Sequence, residues 1–137
     1  MTAFAVTGPA VPVVDYLVLE GGPYLVAQEC TTCGALFLDR RSGCARCSGI
    51  EFRSRRLRET GRLRTFTVVH RAPPPVETPF VVGVIDLDGG GTVKANIAGV
   101  RPDPEDVKPD TAVRLTTFVA GTAPSGAAIV SFAFEPV

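Results

Sequence analysis

Tryptophan is absent from this 137-residue sequence, histidine occurs once (His70), and lysine occurs only as Lys94 and Lys108 against twelve arginines. No basic residue precedes Arg40. Each shortage excludes something. No apolar run approaches the roughly 20 residues of a membrane-spanning helix. Residues 1–29 lack a basic segment, and Pro9 and Pro12 break the early apolar stretch, so no secretory signal is expected. The expected compartment is the cytoplasm, where cysteines stay reduced. With one histidine, no cysteine outside two C-x-x-C pairs and no nucleophile-elbow motif, the chain offers no nucleophile–base arrangement of its own. Ten aromatics without tryptophan are a thin stacking surface for single-stranded nucleic acid. Scarce lysine makes the basic chemistry planar and bidentate, suited to phosphate or carboxylate.

What is present is turn-rich and segregated in charge. Fourteen glycines and twelve prolines point to short strands rather than long helices. The formal net charge of zero hides a pattern: residues 1–39 carry four acids and no base, residues 40–71 ten arginines against two acids, and residues 72–137 four bases against eight acids. Along the chain, residues 1–14 read as an extended arm, and Asp15–Leu19 as a short helix ended by Gly21-Gly22-Pro23. Beyond Gly61 the texture is β. Strands are expected over 62–71, 80–88, 92–98, 112–120 and 128–135. Gly89-Gly90-Gly91 reads as a tight hairpin turn. The four prolines of 72–79 make a stiff loop. Asp103-Pro104-Glu105-Asp106 reads as the capped start of a short helix over 102–108. Three strands, a short helix and two strands is the order of an OB-fold barrel.

All four cysteines lie in Cys30-Thr31-Thr32-Cys33-Gly34 and Cys44-Ala45-Arg46-Cys47-Ser48-Gly49. Two C-x-x-C turns ten residues apart can bring four thiolates to one tetrahedral ion, the arrangement of a rubredoxin-like zinc ribbon. Gly34 and Gly49 are expected to supply the positive φ that such turns use. A four-sulfur site has no open position, so a zinc ion (Zn2+) there is structural. Iron in the same cage would make an electron carrier, since tetrahedral sulfur geometry does not separate the two metals.

The arginine block (Arg53, Arg55, Arg56, Arg58, Arg62, Arg64) spaces its charges at nearly every second residue, which places most of them on one face of a strand. Arg53, Arg55, Arg56, Arg62 and Arg64, with His70 and Arg71 beside the proline-rich loop, are the candidate contacts to an anionic ligand or a partner.

The residues from Tyr24 to Val119 resemble the DUF35 family. The likeness is carried by the cysteine ribbon, by Gly61-x-Leu63-x-Thr65-x-Thr67-x-x-His70-Arg71 with its proline-rich sequel, by Pro79-Phe80-Val81-Val82, by Asp86-Leu87-Asp88, and by Asn96-Ile97-x-Gly99. It implies a mainly β protein, a zinc ribbon followed by a five-stranded OB barrel. The expected division is 1–23 as an N-terminal arm with a short helix, 24–52 as ribbon and 53–137 as barrel. It further implies a non-catalytic accessory subunit in a hetero-oligomer with a thiolase-fold protein, in an aldolase, thiolase or acyltransferase complex. Such a subunit stabilises the partner and helps shape a site for an acyl-coenzyme A thioester. One departure is Glu51-Phe52-Arg53, where the family often has an aromatic pair. The alternatives are a single-stranded nucleic-acid-binding OB protein and, third, a rubredoxin-like electron carrier.

Overall fold

The computed structural model describes residues 9–137. These residues form ten strands: β1 Ala10–Pro12, β2 Leu17–Val18, β3 Tyr24–Cys30, β4 Leu36–Phe37, β5 Phe52–Arg56, β6 Thr60–Val69, β7 Phe80–Leu87, β8 Thr92–Ile97, β9 Ala112–Thr122 and β10 Ala128–Pro136. The last five close a barrel. Antiparallel pairs link β6 to β7, β7 to β8 and β9 to β10. The ring is completed where β6 meets β9 at Thr60–Arg62 and where β8 meets β10 in parallel at Asn96 and Ile97. This is the OB barrel expected from the order of strands. β7 is the clearest case: buried and half-buried residues alternate along its whole length, as a strand lining a barrel requires.

Two glycines are demanded by the tightness of that barrel. A Cβ at Gly61 would collide with the Asp86 carbonyl oxygen, and one at Gly83 with the Leu63 side chain. Only hydrogen fits there. A bulge at Arg64 shifts the β6–β7 register, so the inward positions pass from Leu63 to Phe66 and Val68.

The expected short helices are absent among the described residues. Between Pro102 and Pro109 the chain makes turns instead: the Asp106 N–H donates to the Asp103 carbonyl, and the Asp103 carboxylate accepts from the Glu105 N–H. The helix-start chemistry is real, but a segment closed by proline at both ends is too short to propagate. Its one buried residue, Val107, plugs the barrel. At 15–19 the chain forms β2, paired with β3 as Leu17↔Leu25 and Val18↔Tyr24. Gly21-Gly22-Pro23 is therefore a hairpin turn and not a helix stop. Within the expected arm, Ala10–Pro12 runs parallel to Ala128–Val130, and residues 1–8 lie outside the described residues.

The smaller sheet joins β2, β4 and β5 to β3. One face of it meets the barrel, and the contact is apolar. Leu17, Leu25, Ala27 and Leu57 fall in the same buried cluster as Leu63, Val81, Ile85, Val113, Phe132 and Phe134. The Tyr16 ring seals the junction, edge-on to Phe132 with ring centroids 6.0 Å apart. One continuous core serves both modules.

Candidate metal centre and the arginine junction

β3 delivers Cys30 at its end, the β3–β4 turn carries Cys33, and the second turn carries Cys44 and Cys47. Their four sulfur atoms lie within 4.8 Å of one another. Between the two turns, Cys30 and Cys47 stand 3.5 Å apart and Cys33 and Cys44 3.6 Å. Sulfurs bound tetrahedrally to zinc at about 2.3 Å stand about 3.8 Å apart, so the four fit one ion of that size. The donor set is chemically consistent with this. The Arg46 N–H points at the Cys44 sulfur and the Gly49 N–H at the Cys47 sulfur, each at 3.4 Å.

The proton affinities follow that geometry. N–H groups of Cys33 and Thr32 pull the Cys30 thiol down to about 6. Burial works against ionisation of Cys44, but the Cys47 and Arg46 N–H groups outweigh it and its pKa is lowered. At Cys47 the Gly49 N–H pulls down, while the crowded sulfurs of Cys30, Cys33 and Cys44 push up to about 12. The backbone is thus arranged for thiolates, yet four negative sulfurs cannot coexist this closely without a cation between them. Of the glycines expected at positive φ, Gly34 has it (φ 80°), but in the second turn it falls on Ser48 (φ 67°). Gly49 is needed for space instead, since a Cβ there would sit 3.3 Å from the sulfurs of both Cys30 and Cys47.

The arginine block is brought together with acids that lie far from it in sequence. Glu29, one residue before the first cysteine, accepts from Arg53 Nε at 2.7 Å and Arg55 at 2.8 Å. These two arginines, Arg53 first, hold the Glu29 carboxyl below its usual range. Arg56 pairs with Glu59 and stacks over the Tyr24 ring, 4.0 Å from its centroid. Arg62 donates to the Asp110 carbonyl at 3.0 Å. Arg64 grips Asp86 with two nitrogens, and that hydrogen-bonded pair lowers the Asp86 pKa. Much of the local positive charge is therefore answered from the acidic thirds of the chain.

Arg55 does more than neutralise. Its second guanidinium nitrogen donates to the Gly89 carbonyl at 2.6 Å, tying the ribbon to the β7–β8 hairpin. The glycine triplet has positive φ throughout (80°, 117° and 98°) and faces the ribbon. A Cβ at Gly90 would stand 3.3 Å from Leu36, and one at Gly91 3.4 Å from Leu57. The triplet is a hairpin turn, as expected, and also a junction. Sequence reading missed Glu29 and Gly89 as members of this junction. The available signal was an acid next to the first cysteine, opposite alternating arginines. His70 and Arg71 lie exposed at the end of β6 by the proline-rich loop.

Comparison with known proteins fits this geometry. Residues 54–118 match the family model described as the C-terminal OB-fold domain of ChsH2. The chain is 30% identical over 82 residues to a DUF35 domain-containing scaffold protein of Methanocaldococcus jannaschii, covering 58% of each. The solved structure of the Ltp2–ChsH2(DUF35) aldolase superposes with a TM-score of 0.64 at 25% identity, over 82% of this chain and 84% of that one. The chain is thus similar in sequence and fold to DUF35 proteins. Another relative is the benzoylsuccinyl-CoA thiolase subunit BbsA of Thauera aromatica, 29% identical over 84% of this chain and 78% of that protein. The chain spans 58% of the length of the archaeal scaffold protein and 25% of a probable enoyl-CoA hydratase alpha subunit of Thermomonospora curvata, to which it is 30% identical.

Proposed function

We propose that this chain is a non-catalytic accessory subunit of an acyl-CoA enzyme with a thiolase-fold partner. In this reading it stabilises the partner and helps form the site for a CoA thioester. The observation that carries it is the extent of the likeness: 82% of the chain superposes on 84% of a chain in the structure of the Ltp2–ChsH2(DUF35) aldolase. The relative named as a thiolase subunit also covers 84% of the chain. Cys30, Cys33, Cys44 and Cys47 hold a structural Zn2+, and no coordination position is left for a substrate. The proposed division is 1–23, 24–52 and 53–137, with β5, which opens the last unit, paired to β3 of the ribbon. Arg53, Arg55, Arg56, Arg62 and Arg64 are proposed contacts to the partner or to CoA, Arg55 also tying the ribbon sheet to the β7–β8 turn, while His70 and Arg71 supply exposed contacts at the barrel rim. The expected setting is the cytoplasm; among the described residues no helix is long and apolar enough to cross a membrane.

The test is co-expression with the thiolase-fold protein encoded nearest to it. The two should co-purify, and the partner's activity on its acyl-CoA should fall on omitting this chain. If the chain stays monomeric, leaves that enzyme unaffected and binds oligonucleotide with a steep salt dependence, the nucleic-acid reading replaces this one.

A further inference from the structure

Five arginines of the block have a carboxylate of this chain within ion-pair reach, but Arg58 pairs with none among the described residues. Its exposed side chain lies along the first glycine of the β7–β8 turn. A Cβ on Gly89 would stand 3.2 Å from Arg58 Nε, so the guanidinium runs close against bare backbone. Here a cleft of about 110 Å³ is bounded by Arg55, Arg56 and Arg58 on one side and by Asp88, Gly89 and Gly90 on the other. It is too small for a whole ligand, since pockets for complete small molecules start at about 300 Å³. Its size suits one compact group.

We propose that this cleft is an anion subsite that takes one phosphate group of a CoA-type ligand, the rest of which lies on the partner. The proposal rests on the acyl-CoA reading above and gives it an address. Three features support it. A guanidinium with no acid of its own keeps its planar donors for phosphate. Arg55 and Arg56 are oriented by their own pairs, so the cleft is preorganised before a ligand arrives. The glycines leave no side chain to block the approach of an anion. Asp88 opposes binding. Its carboxylate accepts from the Thr60 hydroxyl at 2.6 Å, which fixes it but does not remove its charge. The subsite is therefore weak alone and gains affinity only as part of a larger site.

The experiment is a titration of the full-length, zinc-loaded, isotope-labelled chain, assembled with its thiolase-fold partner, with CoA, 3′,5′-ADP, inorganic phosphate and a short oligonucleotide, followed at the amide and arginine Nε–H signals of this chain. CoA and 3′,5′-ADP should shift Gly89, Gly90, Gly91 and Arg58. Arg58→Gln should weaken CoA at least five-fold, Asp88→Asn should tighten it, and Arg101→Gln, at an exposed arginine outside the block, should leave it unchanged. Unshifted glycine signals, or equal CoA affinity in Arg58→Gln, overturn the proposal. Inorganic phosphate binding as tightly as CoA (an adventitious anion only) overturns it too, as does preference for the oligonucleotide. Co-purification of the wild-type chain with its thiolase-fold partner is measured separately. Failure there sinks the accessory-subunit reading, whereas failure of the titration with an intact complex sinks only the subsite.

Discussion

The ribbon and the barrel solve the same problem with different materials. The barrel buries Leu63, Val81, Ile85, Val113, Phe132 and Phe134 inside closed strands of six to eleven residues. The ribbon has two strands of only two residues, and two of its buried side chains are cysteines. Its apolar residues, Leu17, Leu25 and Ala27, are spent against the barrel. Hydrophobic burial can therefore hold the barrel closed, whereas the cysteine turns need a metal and the base of the ribbon needs the barrel. A ribbon built this way is a rigid attachment on a self-sufficient body.

The largest effect expected to expose that difference is metal removal. Structural zinc contributes an apparent binding free energy of about 10–16 kcal/mol in small zinc-folded units. Chelation, or Cys30→Ser, should release one zinc per chain and disorder the cysteine turns while the barrel stays folded, read by metal analysis and amide spectra. Next is Phe134→Ala, a large-to-small change at a fully buried barrel position, expected to cost about 3–5 kcal/mol. Denaturant unfolding should show the loss, with zinc content unchanged below the transition. Smaller again is Gly61→Ala, which pushes a methyl into the Asp86 carbonyl and should cost about 1–3 kcal/mol in the same assay.

The smallest effect belongs to the junction and appears in pH. The Glu29 carboxyl is held below its usual 4.5 by Arg53 and Arg55. Its contribution is fully present above pH 4.5 and fades as pH falls through the lower folded-state value. Carboxyl NMR should show Glu29 titrating below 4.5 and returning toward it in Arg53→Gln/Arg55→Gln. A wild-type value at or above 4.5 contradicts the pairing.

The same contrast explains what could be read from the sequence. Barrel strands were legible because alternation repeats over eight or more residues, as in β7 and β10, where Val130, Phe132 and Phe134 share the inner face. The cysteine site was legible from spacing alone. The two helices were misjudged because local signals were read without their limits. Asp103-Pro104 does start a turn, but Pro109 stops it. Leu17 and Val18 are fixed by partners across the Gly21-Gly22 turn. The arginine block was visible as composition, but not its neutralisation. Arg53 and Arg55 meet Glu29, Arg64 meets Asp86 and Arg62 meets Asp110 only once the strands pair. A net charge counted along the chain does not describe the surface.

Hydrogen exchange on the full-length chain, before and after zinc chelation, tests the division of labour most directly. Amides of the cysteine turns and of β4 should lose protection, while those of β7, β8 and β10 keep theirs. Uniform loss across both modules, or a ribbon whose protection survives without metal, would contradict a metal-held attachment on an independently stable barrel.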